Sequence, residues 1–278
     1  MNMHVPQSKQ SQVEVVELAA VPKQIMSPGT NAPVIGIVQD TLIGSYMFTH
    51  QTNYLSENDV RDLVAWIPQI GARLPPPDVK AGSKKEDLPE DFPQLYWNSA
   101  LDYWKGQQIF SAIIPIISMI KANNTSKLTG RSEDKVRITD GVLKTGVMDK
   151  SILGTKENGI IHVIINDLGI KAAQLFLDDC QNLITNFMLK SGYSVGISDL
   201  IADDATLVKM KATIDDKKAE VIKLMTQVHQ GVFDNHSGQS NCDEFELQVM
   251  SHLNKALSEA GKAGMNTLDS DNRMLRLV

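Results

Sequence analysis

Residues 203–230, DDATLVKMKATIDDKKAEVIKLMTQVHQ, predict one long helix that sets the architecture of the last third of the chain. Apolar residues recur there at helical spacing, with Lys217 at the one missing step: Leu207, Met210, Ile214, Val221, Leu224 and Val228. A second run from Asp243 has the same spacing at Met250, Leu253, Leu257, Ala260 and Gly264. The turn-forming sequence GVFDNHSGQSN separates the two runs, so we expect a long antiparallel helical hairpin.

The residues before this hairpin alternate between strand and helix patterns. The pattern predicts a strand at residues 1–7, a helix from Ser8 to Ala20 and a buried helix at 34–50. A helix at 55–67, capped by Ser56 and Asp59, and a short helix at 106–111 follow. The last predicted elements are a β-hairpin that turns at Asp140 and Gly141 and an amphipathic helix at 170–190. The proline-rich residues 75–93 are interpreted as a solvated loop or short linker. The predicted fold class is therefore α/β, a mixed α+β domain followed by the helical hairpin.

Composition narrows the classes of function. The 278 residues carry a net charge of −6, so the chain as a whole does not bind nucleic acid by charge alone. The two cysteines, Cys180 and Cys242, form no CxxC pair, which favours reduced thiols and an intracellular setting over a zinc site. The apolar residues 113–120 contain Pro115 and are too few to span a membrane. We expect no membrane partner.

Motifs of common enzymes are absent from the sequence. It contains no GxGxxG, GxxxxGK[ST], HExxH or GxSxG pattern. His162 lies in an apolar run and is interpreted as a core histidine. Adjacent carboxylates such as Asp178 and Asp179 lie on predicted helices, where neighbouring side chains point apart, so we expect no metal site in this chain.

Several short sequence motifs occur in an order that is typical of one protein family. They are MNMHVPQS at residues 1–8, SPGTNAPVIGIVQDTLIGSY at 27–46, YWKGQQIFSAIIP at 103–115, NGIIHVI at 158–164 and GYSVGISDLIAD at 192–203. Together they resemble the largest subunit of multisubunit DNA-dependent RNA polymerase, of the eukaryotic, archaeal or large-DNA-virus type. The resemblance extends over essentially the whole chain.

The resemblance implies a domain organisation and a place in a larger machine. Residues 1–26 resemble the tail of the active-site domain, residues 27–191 the pore domain and residues 192–278 the funnel domain. The family's magnesium-binding aspartate loop is expected just before Met1, so the resemblance implies an internal fragment without catalytic residues, while the complete polymerase uses Mg²⁺. The implied partners are the remainder of the largest subunit, the second-largest subunit, template DNA, RNA, nucleoside triphosphates and a transcript-cleavage factor. The implied location is the nucleus, or a viral factory in the cytoplasm for a viral polymerase.

Two groups of residues are candidates for the pore and funnel. Gln39 and Asp40 are predicted to form a buried polar network in the pore; the alternative is a polar pair in helix packing without substrate contact. Lys209, Lys211, Lys217 and Lys218 are candidates for facing the funnel; the alternative is an ordinary solvated helix face.

The sequence departs from the family's pattern in residues 104–108. The family usually has Trp, Ser or Thr, Gly, Lys, Gln where this chain has Trp, Lys, Gly, Gln, Gln. The lysine stands at Lys105, and its usual place is Gln107. A contact made by that lysine in relatives is therefore in doubt here. Gln107 and Gln108 are further candidates for a structural or pore role.

Two hypotheses of function remain open from the sequence. The first is a part of the polymerase core that forms the wall of the pore and funnel, the nucleotide-entry channel. The second is a stand-alone or decayed fragment that acts only as a binding module for polymerase subunits or a cleavage factor. Co-purification with the second-largest subunit separates them.

Overall fold

The computed structural model describes residues 2–67, 70, 74–93, 97–123, 135–235, 238 and 240–266. They form a mixed α/β fold with small sheets and several helices. The chain divides into two compact units, Met1–Tyr193 and Ser194–Val278. None of the described helices has the length and apolar character that crossing a membrane requires.

The first described residues follow the predicted helix but not the predicted strand. Helix α1, Lys9–Glu14, begins after Ser8, whose hydroxyl accepts the Ser11 N–H at 3.1 Å. A π-helical turn, Val15–Ala19, and a 3-10 turn, Val21–Gln24, continue it. Residues 2–7 form no strand, so that prediction was wrong; alternation makes a strand only where a second strand supplies the hydrogen bonds.

Three small antiparallel sheets are seen in the described part of Met1–Tyr193. They pair β1 (Met26–Ser27) with β2 (Ala32–Pro33), β3 (Tyr54–Ser56) with β4 (Tyr103–Lys105), and β5 (Met119–Lys121) with β6 (Val136–Thr139) and β7 (Val142–Thr145). The predicted hairpin is confirmed between β6 and β7. Its two turn residues, Asp140 and Gly141, have φ of 50° and 77°, as a type I′ turn requires.

The helices of this unit surround one long helix. They are α2 (Gln39–Phe48), α3 (Glu57–Val64), α4 (Gly106–Ile113), α5 (Lys150–Leu153), α6 (Ile160–Leu168) and α7 (Ile170–Ser191). The predicted amphipathic helix at 170–190 is α7, and it packs against α2, α3, α4 and α6. The cap of α3 is also confirmed, because the Ser56 hydroxyl donates to Asp59 Oδ2 at 2.6 Å and accepts its N–H.

Large apolar side chains fill the space around α7. Phe48 is fully buried and meets Phe187 edge-on, with ring centroids 5.0 Å apart; Phe110 meets Phe176 in the same way at 6.5 Å. Gly44 allows α2 to approach α7, since a Cβ there would lie 2.8 Å from Met188 Cγ and closer still to Ile184. The core histidine is confirmed: His162 is buried and its Nδ1 accepts the Asn158 N–H at 3.0 Å.

Two long helices dominate Ser194–Val278. Helix α8 spans Asp204–His229 and helix α9 spans Asn241–Asn266, as the spacing predicted. Three contacts join them in reversed order: Met210 lies near Gly264, Glu220 contacts His252, and Phe233 meets Phe245. The two helices therefore run antiparallel.

The row of residues between α8 and α9 agrees with the predicted one only in part, because Met210, Ala260 and Gly264 lie in it. Several of the predicted apolar residues are exposed: Leu207, Ile214, Val228, Met250, Leu253 and Leu257. Among the described residues of α8 and α9, the buried ones are Thr206, Glu244, Ala256 and Ala260, and Ala260 belongs to the predicted row. Alanines allow two helices to approach closely, which favours this row over the neighbouring row of larger side chains.

Candidate functional site

Residues 104–108, the departure from the family's pattern, lie where β4 turns into α4. The register of β3 and β4 places Tyr54 opposite Lys105 and Leu55 opposite Trp104. Helix α4 then starts at Gly106, where any Cβ would collide with the Phe48 carbonyl, so this position requires glycine. Strand pairing and the close approach thus fix the segment. We call residues 104–108 the signature segment.

Asp78 holds the beginning of α4 from outside the segment. Its Oδ2 accepts the Lys105 N–H at 3.2 Å, and its Oδ1 accepts the Gln108 side-chain amide at 2.8 Å. A carboxylate near the first turn of a helix is favoured by the helix dipole. Gln107 turns elsewhere and donates its amide to the Gly146 carbonyl at 3.0 Å. Both glutamines therefore serve as structural hydrogen-bond donors in this conformation.

The side chain of Lys105 forms an ion pair with a second carboxylate, that of Asp91. Its ammonium lies 2.9 Å from Asp91 Oδ2 and 5.3 Å from the centre of the Tyr54 ring. The Tyr54 hydroxyl donates to the other oxygen of Asp91 at 3.0 Å. The displaced lysine of the signature segment is consequently half-buried and paired, and does not substitute for a lysine at residue 107.

The electrostatics of this cluster follow from partial burial and close pairing. Desolvation raises the pKa of Tyr54 to about 12, which keeps the phenol protonated. Desolvation alone would raise the pKa of Asp91 and lower that of Lys105. The hydrogen bonds and charges that the two groups share outweigh it, so the pKa of Asp91 is lowered and that of Lys105 is raised. Both groups are charged at neutral pH.

Residues 75–93 contribute both carboxylates, so their interpretation as a solvated loop or linker was incomplete. Val79 and Phe92 are buried, and Phe92 packs between Tyr54 and Tyr103 with ring centroids 4.7 and 5.2 Å away. The Trp104 indole donates to the Pro75 carbonyl at 2.9 Å. Sequence reasoning missed Asp78, Asp91 and Tyr54, because each meets its partner only after the strands have paired.

The predicted burial of Gln39 and Asp40 was wrong. Both residues are exposed, since α2 begins at Gln39 rather than at residue 34 and its first turn points outward. Gln39 has φ of 53°, an unusual conformation for a residue other than glycine. Buried polar side chains do occur in α2, at Thr41 and Ser45. Thr41 donates to Gln181 Oε1 at 2.9 Å.

The four lysines of α8 fall into different environments. Lys209 and Lys211 are exposed. Lys218 lies 3.6 Å from Asp215, and Lys217 lies 3.1 Å from Glu220 Oε1. The other oxygen of Glu220 is 2.7 Å from His252 Nδ1 on α9, so Lys217 belongs to a charge cluster between the helices.

The described part of the chain contains no cluster of side chains that could bind a metal ion. No group of three or more His, Cys, Asp or Glu side chains there could hold an ion. Asp178 and Asp179 are adjacent residues of α7. Burial, with the charge of Asp178, raises the pKa of Asp179.

Comparisons with known proteins give the family. The family described as RNA polymerase Rpb1, domain 3, matches residues 24–200. Two curated relatives from Trypanosoma brucei brucei, the DNA-directed RNA polymerase II subunits RPB1-A and RPB1-B, are each 31% identical over 272 residues. The match covers 98% of this chain and 14% of each relative. The chain belongs to the Rpb1 family, the largest subunits of DNA-directed RNA polymerase, as the resemblance predicted.

Proposed function

We propose that this chain acts in transcription as part of the largest subunit of DNA-directed RNA polymerase, a nucleotidyltransferase, and forms the wall of its pore and funnel. The observation that carries the proposal is the continuous match: 98% of the chain aligns with one stretch of a polymerase II subunit. The chain spans about one seventh of that relative, and in this proposal the catalytic activity belongs to the assembled polymerase.

The N-terminal residues support a place inside a larger assembly. Neither α1 nor the following π-helical turn buries any residue. Residues 3–21 instead expose seven large apolar side chains: Met3, Val5, Val13, Val15, Val16, Leu18 and Val21. Large exposed apolar side chains concentrated in one short segment support an interface there. In this proposal the remainder of the largest subunit covers it.

The proposed domains follow the order that the resemblance implies. Residues 1–26 join the active-site domain, residues 27–191 form the pore domain, and residues 192–278 form the funnel. The family match to residues 24–200 and the compact unit Met1–Tyr193 support a pore domain of about this extent. The antiparallel α8 and α9 suit the helical hairpin of a funnel.

The proposed substrates and partners are those of a polymerase. Nucleoside triphosphates are polyanions, and the exposed Lys209 and Lys211 on α8 suit their passage through the funnel. Template DNA, RNA, the second-largest subunit and a transcript-cleavage factor complete the set, with the nucleus as the location. Mg²⁺ belongs to the catalytic centre of the whole enzyme, and the described residues of this chain gather no set of ligands for it.

Purification from cells that express the tagged chain tests the proposal. We expect the second-largest subunit to co-purify and the assembly to synthesise RNA from a DNA template. Replacing Leu18, 65% exposed in the N-terminal apolar surface, by Asp should disrupt co-purification. Val208→Asp is the matched control, because Val208 is 68% exposed on α8. A chain that purifies alone as a monomer and supports no RNA synthesis would contradict the proposal and leave the stand-alone fragment as the remaining hypothesis.

A further inference from the structure

Two large apolar side chains stand exposed on neighbouring helices of Met1–Tyr193. Trp66 follows α3 and is 62% exposed, while Leu189 lies near the end of α7 and is 79% exposed. Both line one groove of about 450 Å³. The buried Leu63 also lines this groove, so rigid core packing supports it. Exposed tryptophans held in this way are typical anchors of protein interfaces.

A second groove continues from the same leucine. It encloses about 490 Å³ and is lined by Leu189 together with Asp40, Met188 and Tyr193. Because Leu189 lines both grooves, the two grooves adjoin at this side chain and are treated as one surface. We call it the Leu189 surface and define it by Asp40, Asp62, Trp66, Leu189, Lys190 and Tyr193.

The charged side chains that line the Leu189 surface are two carboxylates, Asp40 and Asp62, and one cation, Lys190. Among the described residues that line the two grooves, Lys190 is the one cation, and its ammonium lies 3.0 Å from Asp59 Oδ1 and 2.7 Å from Asp62 Oδ2. One cation thus faces two carboxylates, and the Asp62 side chain remains 67% exposed. Asp40 is exposed in the second groove, and no described cation pairs with it. The apolar centre therefore has a carboxylate on each side.

The apolar centre and the flanking carboxylates together indicate which kind of molecule can bind to the Leu189 surface. Nucleic acids and anionic lipid surfaces carry negative charge and are repelled by such a rim. An amphipathic helix with an apolar face and flanking lysines or arginines is complementary to both features. We propose that the Leu189 surface binds a basic amphipathic segment of another protein. Its apolar side chain packs between Trp66 and Leu189, and its cations reach Asp40 and Asp62.

The proposal does not depend on the polymerase function, and a designed peptide tests it on the full chain. The probe is a fluorescent helix of about 18 residues, five turns, made of leucine and lysine at amphipathic spacing. The control peptide replaces each lysine by glutamate. We expect saturable binding of the leucine–lysine peptide only, and weaker binding as salt rises from about 50 to about 300 mM.

Substitutions locate the binding. Leu189→Ser and Trp66→Ala should each weaken binding about tenfold or more, as removal of a central anchor does. Ile197→Ser is the matched control, because Ile197 is also 79% exposed, and it should leave affinity unchanged. Asp62→Asn should weaken binding and reduce its salt dependence.

Three results of the peptide assay would overturn the proposal: no saturable binding, equal binding of the leucine–glutamate peptide, or equal losses in Leu189→Ser and Ile197→Ser. Circular dichroism of each variant shows that the fold is retained. Binding of a duplex DNA probe in place of the peptide would assign the surface to nucleic acid and also contradict the proposal.

Discussion

The two compact units bury different kinds of side chain. Met1–Tyr193 encloses aromatic and branched residues, with Phe48, Phe110 and Phe176 almost completely buried. Among the described residues of Ser194–Val278, the buried apolar side chains are Ala256 and Ala260. The first unit is therefore stabilised by a large core, whereas α8 and α9 depend on close approach and on polar contacts. Substitutions should reveal this difference directly.

The largest expected effect comes from removing an aromatic ring from the core. Phe110→Ala should lower the free energy of unfolding of Met1–Tyr193 by about 3–5 kcal/mol, because the ring leaves a cavity between Phe48 and Phe176. Leu257→Ala on α9, where Leu257 is 77% exposed, should change stability by less than about 0.5 kcal/mol. Denaturant unfolding measures both. Similar losses in the two variants would abolish the contrast.

A glycine pair should give effects of opposite sign. Gly44→Ala places a Cβ against Ile184 and Met188, and overpacking of this kind costs about 1–3 kcal/mol. Gly261→Ala on α9 meets nothing within 4 Å, and alanine favours the helix by about 0.5–1 kcal/mol. Thermal unfolding followed by circular dichroism tests the pair. Destabilisation by Gly261→Ala would show that the second unit is packed as tightly as the first.

The smallest expected effect compares two charge clusters. Asp91→Asn should cost about 1 kcal/mol at pH 7, because Lys105 loses its ion pair in a half-buried site. Because the pKa of Asp91 is lowered in the folded state, the stabilisation by its ion pair is fully present at pH values above the ordinary carboxyl pKa of about 3.9. This stabilisation is lost as the pH falls below that value. Wild type and variant should therefore converge in stability at low pH.

Glu220→Gln provides the matched variant in the second unit. Hydrogen bonds from Lys217 and His252 lower the pKa of Glu220, but the group is exposed to solvent screening. We expect a smaller loss than for Asp91→Asn, and one that disappears at high salt. If the loss of stability in Glu220→Gln persisted at high salt, the ion pair of Glu220 would be shielded from solvent like that of Asp91.

Sequence patterns predicted elements well where the signal is local. The Asp140–Gly141 turn, the Ser56 cap and the helices α7, α8 and α9 depend on residues close in sequence, and each was confirmed. Helix α2 shows the limit: the apolar residues before it suggested an earlier start, but Val38 is extended and the helix begins at Gln39. Asp40 was placed inside for that reason.

Tertiary partners were the part that no pattern could supply. Thr206 and Leu207 lie side by side in sequence, and Thr206 is the buried one of the two, although the spacing of apolar residues indicated Leu207. The signature segment shows the same limit, since Asp78 and Asp91 reach it from a proline-rich stretch. Family resemblance indicated the segment but not its partners.

Each unit also contains one thiol, and the two thiols differ in access. Cys180 is completely buried beside Ser45, and burial raises the pKa of its thiol to about 12. Cys242 is exposed. Because the thiolate is the reactive form, an alkylating reagent at neutral pH modifies Cys242 first and Cys180 only when the first unit opens. The rate of Cys180 alkylation relative to that of Cys242 therefore measures how often the core of Met1–Tyr193 unfolds.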